Sequence, residues 1–167
     1  IGNFPYGNEF RGFFINPNNY TISNLTIKTA VEIYHGPYGG CLGGLFGSIN
    51  DAYIDNIILD NVYIDVSDFE GESGSYAGGL VGDIGGSLVL NCSVNGTIMG
   101  QYSVGGIAGV CGNTTIKGCS FSGLVIQQNS SDELSAAGGL AGYLYVQVVF
   151  GVKHCSVENN NVMGTVK

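Results

Sequence analysis

Cysteine is the residue type in this sequence with the widest choice of chemistry, because a thiol can form a disulfide, bind a soft metal or stay a small apolar side chain. Cys92, Cys119 and Cys155 occupy one position of a repeated pattern, whereas Cys41 and Cys111 lie outside it. The long intervals between the first three lack the closely spaced pair that zinc sites use. A disulfide remains open, but the repeated position favours buried free thiols.

Carboxylates form the second group with possible chemistry. Asp65, Asp68, Glu70 and Glu72 fall within one stretch and could supply oxygen ligands to calcium. Their spacing lacks the fixed ligand positions and the glycine of an EF-hand loop. The alternative is a solvated acidic turn, which is the usual fate of a charged run. The sequence therefore predicts no cofactor other than calcium at these four residues.

A glycine followed by an apolar residue opens each of five copies of a repeat along the sequence. This repeat predicts the elements that must position the cysteines and the carboxylates. The glycines are Gly12, Gly44, Gly79, Gly106 and Gly139. A second apolar residue follows ten positions later in four copies and thirteen later in the last, at Ile22, Ile54, Val89, Ile116 and Val152. A repeat of about 27 to 35 residues over a whole chain is typical of a solenoid.

The residues after this second mark predict strands joined by a corner. Further apolar residues follow at the third and fifth positions, and the spacing of two is strand-like, while the spacing of three breaks the alternation. The residues beside the break are Asn24, Asn56, Asn91, Gly118 and His154. Asn and Gly tolerate the left-handed backbone of a sharp corner. The residues with predicted structural roles are Asn24, Asn56, Asn91, Cys92, Cys119 and Cys155.

The predicted fold is all-β: a single-domain parallel β-helix, or β-solenoid, of about five coils over residues 1–167, with long loops on one face. No window has the apolar spacing of an amphipathic helix. The segments between coils vary in length, and variable segments of a solenoid map to one face, often the binding face. The predicted partner-binding residues are Tyr34, Tyr38, Tyr63, Phe69 and Tyr76. The alternative is that several of these rings cap the coil edges.

Several of these stretches resemble a known repeat. The glycine-rich runs at 43–47, 78–82, 105–109 and 138–142, together with the segment 89–98, resemble the GLUG repeat. The opening residues 10–14 and 20–27 resemble the segment that commonly precedes such repeats. The resemblance implies a parallel β-helix segment of a large secreted or surface protein, adhesin-like in character. It implies no activity and brings no catalytic residues.

Charge and composition restrict the partners. The net charge of −8 with five Lys and Arg residues argues against nucleic acid, which needs basic side chains on phosphates. The sequence contains no run of about 18 apolar residues, so no membrane span is predicted. Both ends lie in repeat-like sequence, which favours a segment of a longer chain.

The expected function is a non-enzymatic extracellular or cell-surface module, a stiff stalk that presents loops to a partner. That partner would be a protein or glycan of a host or neighbouring cell, or other copies in a surface assembly. The alternative is a carbohydrate-active β-helix, either a polysaccharide lyase or a glycoside hydrolase. Glycoside cleavage normally needs paired carboxylates, and no such pair stands in register beside the few basic residues. We therefore expect no enzymatic activity.

Overall fold

The computed structural model describes residues 10–28, 41–69, 74–128, 135–146 and 155–167. All regular secondary structure within these ranges is β-strand, in three sheets of eight, six and four strands whose pairings are all parallel. The all-β class predicted from the sequence is confirmed.

The strands follow one another at short intervals. They are β1 (Phe10–Ile15), β2 (Thr21–Ser23), β3 (Thr26–Lys28), β4 (Cys41–Gly43), β5 (Phe46–Asp55), β6 (Ile58–Asp65), β7 (Ser75–Gly78), β8 (Val81–Gly85), β9 (Leu88–Leu90), β10 (Ser93–Gly100), β11 (Ser103–Gly105), β12 (Ala108–Gly112), β13 (Thr115–Lys117), β14 (Ser120–Gln127), β15 (Ala136–Gly138), β16 (Ala141–Tyr145), β17 (Ser156–Glu158) and β18 (Asn161–Val166).

The chain visits the three sheets in a fixed order. From β7 onward it passes through the four-stranded sheet, then twice through the eight-stranded sheet, then through the six-stranded sheet, and repeats this sequence at β11 and β15. We call one such passage a circuit. Strands that are neighbours in a sheet therefore belong to successive circuits, as in the order β15-β11-β7-β4. The long strand β5 pairs with β8 along its first part and with β9 along its second.

The core consists of apolar residues aligned across circuits. Ile54 pairs with Val89, Val89 pairs with Ile116, and all three side chains are fully buried. On the six-stranded sheet, Val94 and Phe121 are likewise paired and buried. Alternate side chains of a strand point to opposite faces, so each strand gives one face to this core.

Because Ile22 and Ile54 hold the same position in the repeat, the sequence predicts that they pair, and this register is wrong in the first circuit, which contains β1, β2 and β3. Phe14, not Ile22, pairs with Ile54, while Ile22 pairs with Leu59 on the next sheet. The reason is that Gly12 pairs with Ala52 and does not hold the position of Gly44, so a count of ten residues from Gly12 passes the partner of Ile54. A turn at residues 16–19 follows, where the Asn16 side chain accepts a hydrogen bond from the Tyr20 amide and donates one to the Tyr20 carbonyl oxygen.

The predicted register also fails in the last circuit. Val157 is the residue that pairs with Ile116, and Val152 lies outside the described residues. The corner of this circuit is Asn159, which has a left-handed backbone with φ of 52°. The chain between β16 and β17 is longer than its counterparts, so a count from Gly139 stops short of the aligned position.

Two columns of left-handed residues form the corners of the eight-stranded sheet. Asn56, Asn91 and Gly118, with φ of 60°, 51° and 65°, form the column that the sequence predicts. Their amides donate to the carbonyl oxygens of Leu90, Lys117 and Glu158 in the following circuit. The second column, five residues earlier, is Asp51, Gly86 and Asn113, with φ of 49°, 56° and 48°.

Asn24 does not belong to the Asn56 column. Its backbone is left-handed, with φ of 59°, but its side-chain oxygen accepts a hydrogen bond from Asn61 Nδ2 at 2.7 Å. Asn56 instead donates to the backbone oxygen of Asn16 at 2.7 Å. Asn24 follows Ser23, which pairs with Asp60, so Asn24 aligns with Asn61 and not with Asn56. His154, the predicted corner of the last circuit, lies outside the described residues.

Candidate functional site

The cysteine column has two members rather than three. The amide of Cys92 donates to Cys119 Sγ at 3.4 Å, and the amide of Cys119 donates to Asn160 Oδ1 at 2.7 Å. Asn160 therefore occupies the place predicted for Cys155. The prediction for Cys155 is wrong for the same reason as the prediction for Val152, the longer connection before β17. Cys155 Sγ lies 3.6 Å from Cys111 Sγ instead.

All five cysteines are free thiols, and four of them are buried. Burial raises the pKa of Cys41 to about 12. Burial, followed by the neighbouring Cys155, raises the pKa of Cys111. Contact with the Cys119 sulfur and burial raise the pKa of Cys92. Because the thiolate is the reactive form, these three side chains are chemically quiet at neutral pH.

The predicted calcium ligands are only partly described. Asp65 Oδ1 accepts hydrogen bonds from the amide and hydroxyl of Ser67, and its Oδ2 accepts one from the Tyr63 hydroxyl. Burial opposes ionisation of Asp65, but these hydrogen bonds and nearby Lys28 outweigh it and hold its pKa below the usual value. Asp68 is exposed. Glu70 and Glu72 lie outside the described residues. Within the part of the chain that the structure describes, no three His, Cys, Asp or Glu side chains cluster as a metal site would require.

The predicted partner-binding aromatic residues make internal contacts where they are described. The Tyr63 ring lies under Lys28 Nζ, 5.2 Å from the ring centroid. Phe69 packs against the core, and its carbonyl oxygen accepts from Gln101 Nε2 at 2.5 Å. The rings of Tyr76 and Tyr102 are 6.3 Å apart. Tyr34 and Tyr38 fall outside the described part of the chain. These contacts favour the edge-capping alternative for Phe69.

A polar groove of ≈ 300 Å³ lies on the eight-stranded sheet, beside the second corner column. It is on the face away from the core, since the strand positions that alternate with it hold the buried Ile49, Ile84 and Cys111. The polar and aromatic residues around it are Ser48, which is buried, and Asn50, Asp51, Asp83, Asn113 and Tyr145.

Two aligned glycines open this groove. Asn50, Gly85, Gly112 and Tyr145 stand in register on β5, β8, β12 and β16. In this row the two middle strands contribute no side chain, while Asn50 and Tyr145 form the walls and Asp83 of β8 lies two residues away from the row. A Cβ on Gly112 would overlap the Tyr145 ring, so that ring lies directly against the Gly112 backbone. Asn50 Oδ1 similarly approaches to 3.1 Å of the place a Gly85 Cβ would take.

The groove carries negative charge and one exposed aromatic wall. Asp51 forms an exposed ion pair with Arg11 at 3.1 Å. Burial and then the Asp83 carboxylate raise the pKa of Tyr145, which keeps its hydroxyl protonated. The Tyr145 and Tyr143 rings stack at 6.3 Å with an interplanar angle of 24°. Each of these tyrosines is 37 % exposed.

Sequence reasoning missed this groove because its signal is an absence of side chains. The residue before each corner of the second column reads Asn50, Gly85 and Gly112, and the corner itself reads Asp51, Gly86 and Asn113. Each corner residue of the second column stands five positions before a corner residue of the first column. The alignment that predicts the first column could therefore also have found the second. The alignment of Tyr145 needs the strand register as well.

No family model, curated protein or solved structure matches the chain. The resemblance to the GLUG repeat thus rests on the sequence stretches quoted above. None of the described residues forms a helix with the length and apolar character that crossing a bilayer requires.

Proposed function

We propose that the chain is a parallel β-helix of about five coils that serves as a non-enzymatic structural or adhesion module at the cell surface. The observation that carries this proposal is the cyclic order of the strands, since from β4 onward each circuit passes through the same three parallel sheets. A structure that repeats along one axis makes a stiff spacer, because each circuit contacts only its neighbours and adds about 4.8 Å of length.

The contacts between circuits support a load-bearing role. Backbone hydrogen bonds join successive circuits, and side chains at the corners add to them. The Ala52 amide donates to Ser87 Oγ, and the Ser87 amide donates to Thr114 Oγ1 in the next circuit. Stretching the chain along the stacking axis would have to break these bonds together. The partner would be a protein or glycan of a host or neighbouring cell, or other copies of the chain.

A carbohydrate-active enzyme is the second candidate, and the groove is the observation that favours it. Asp51 and Asp83 both line the groove, as a pair of carboxylates in a glycoside hydrolase would. A lyase would also need cationic groups to stabilise developing negative charge. Arg11 is already paired with Asp51, and Lys117 is paired with Glu158 at 3.4 Å on a different part of the sheet.

Two assays on the whole chain separate these candidates. In the first, the protein is incubated with a panel of neutral and acidic polysaccharides, and reducing ends and unsaturated products are measured. In the second, the protein is coupled to beads and attachment to cells and to a glycan array is counted. We expect attachment without product. Product formation that disappears in an Asp83→Asn variant would support the enzyme instead, and failure to attach would contradict the adhesion role.

A further inference from the structure

We infer that the groove formed by Asn50, Asp51, Asp83, Asn113 and Tyr145 binds a neutral oligosaccharide. This inference rests on the proposed adhesion function and names the class of ligand and the face that binds it. It moves the binding surface from the variable loops to the eight-stranded sheet. We call the site the sheet groove.

The size of the sheet groove suits a small polar ligand. Its volume of ≈ 300 Å³ is at the lower end of the range of about 300–1,000 Å³ that is usual for small-molecule sites. Its floor is the backbone of Gly85 and Gly112 on adjacent strands. The Asn50 amide lies beside Gly85 and the Tyr145 ring lies against Gly112. A ligand in the groove would therefore contact these two side chains together with Asp83 of β8.

The groups around the sheet groove match the chemistry of a sugar. Sugar hydroxyls both donate and accept hydrogen bonds, carboxylates accept them, and the amides of Asn50 and Asn113 do both. Asp83 and Asn113 have other contacts in the protein. A carboxylate has about four lone-pair sites, so Asp83 can accept from a hydroxyl while keeping its present contacts.

Tyr145 supplies the apolar contact that sugar rings need. Its ring is held against the Gly112 backbone on one side and stacks with Tyr143 on another. A ring fixed in this way loses little side-chain entropy when a ligand covers its exposed part. The flat C–H face of a pyranose can pack on the exposed portion while its hydroxyls reach Asp83 and Asn113.

The direction of the groove and its negative charge restrict the class of sugar that it can bind. The row from Asn50 to Tyr145 crosses four strands, and neighbouring strands are about 4.8 Å apart. This spacing is close to the length of one hexose in an extended chain, so successive sugars would meet successive circuits. Asp51 and Asp83, in a protein of net charge −8, would repel uronates and sulfated sugars. An oligosaccharide of neutral sugars is not repelled by these carboxylates.

The test is a titration of the full chain with cellohexaose, maltohexaose and mannohexaose, with hexagalacturonate as the acidic probe, followed by NMR or calorimetry. The variants are Tyr145→Ala, which removes the wall, and Asp83→Asn, which removes a carboxylate. Tyr20→Ala is the matched control, because Tyr20 is 73 % exposed and does not line the groove. Gly112→Ser displaces the Tyr145 ring while deleting no polar group.

We expect at least one neutral probe to bind, with Kd raised tenfold or more by Tyr145→Ala and Gly112→Ser, and unchanged by Tyr20→Ala. Asp83→Asn should weaken binding less, since an amide oxygen still accepts a hydrogen bond. If Tyr145→Ala fails to fold, the exposed Asp51→Asn variant and the Tyr145→Phe variant supply the comparison, with Tyr145→Phe expected to retain binding through its ring.

Four outcomes would overturn the inference. They are no binding of any neutral probe, binding that these variants leave unchanged, tighter binding of hexagalacturonate than of every neutral hexaose, and binding that Tyr20→Ala weakens equally. If the chain still attaches to cells in those cases, the adhesion role stands and only the sheet groove is excluded. If neutral sugars bind through the groove but are cleaved, the groove stands and the non-enzymatic role is excluded.

Discussion

The backbone amide of Ser87 donates a hydrogen bond to the hydroxyl oxygen of Thr114 in the next circuit, at 3.1 Å. The Thr114 hydroxyl in turn donates to the carbonyl oxygen of Gly112 at 2.9 Å. Ser87 repeats both contacts one circuit earlier, since its Oγ accepts from the Ala52 amide and donates to the Gly85 carbonyl. One hydroxyl thus closes its own corner and joins its circuit to the preceding one.

Removing this hydroxyl should destabilise the fold. Thr114 is fully buried, and Thr114→Val keeps its shape while leaving the Ser87 amide without its acceptor. An unpaired buried donor costs about 1–3 kcal/mol, so we expect a loss of that size in the free energy of unfolding measured with urea. Thr114→Ser is the control, because it retains the hydroxyl and loses only a methyl group. Equal stability of Thr114→Val and the unmodified protein would show that the contact contributes nothing.

A corner residue with a left-handed backbone should accept glycine better than alanine. Asn91 has φ of 51°, and Gly118 holds the equivalent position in the next circuit. A Cβ in this conformation costs about 1–2 kcal/mol, whereas glycine adopts it freely. Both Asn91→Ala and Asn91→Gly remove the exposed bond to Asp55. Thermal unfolding should therefore place the alanine variant below the glycine variant, and the reverse order would contradict the corner geometry.

The sequence predicts the core well where the interval between marks is constant. Ile54, Val89 and Ile116 each follow their glycine by ten residues, and they form one buried ladder. The count fails at Ile22 because Gly12, from which it starts, pairs with Ala52 and does not hold the position of Gly44. It fails at Val152 because the connection between β16 and β17 is longer than its counterparts. A periodic pattern predicts that the chain forms circuits. The number of residues between two strands depends on turns and connections whose length the pattern does not encode.

The candidate site was harder to predict than the core. Exposed aromatic residues in variable segments pointed to Tyr63 and Phe69, yet both make contacts within the protein. The sheet groove instead arises because Gly85 and Gly112 lie side by side on neighbouring strands. Residues 27 positions apart become adjacent only through the circuit length, so the groove needs the register of the strands and not the residue types alone.

The corrected register can be tested by truncating two isoleucines that share one position in the sequence pattern. Ile116 is fully buried, whereas Ile22 is 37 % exposed and pairs with Leu59 rather than Ile54. Truncating a buried isoleucine to alanine costs about 2–5 kcal/mol. Urea unfolding should show a loss in that range for Ile116→Ala and a clearly smaller one for Ile22→Ala. Equal losses would restore the register predicted from the sequence.

Buried thiols should make the fold sensitive to alkaline pH, and Cys41 gives the clearest case. Its side chain is 1 % exposed, and burial raises its pKa from 9.0 to about 12. In the unfolded chain the thiol ionises near the lower value, while in the folded protein it stays protonated. The stability that comes from keeping this thiol neutral is therefore complete below about pH 9 and is lost as pH rises toward the folded pKa of about 12.

The measurement is the free energy of unfolding in urea from about pH 8 to about pH 10.5, for the unmodified protein and for Cys41→Ser. Each proton released only by the unfolded state contributes a slope of about 1.4 kcal/mol per pH unit. Serine does not titrate in this range, so the variant should start less stable and decline less steeply. Cys92 and Cys111 also have raised pKa values, so some slope should remain. Parallel curves for the two proteins would mean that Cys41 reaches water in the folded state, and that the edge of the core at β4 is open.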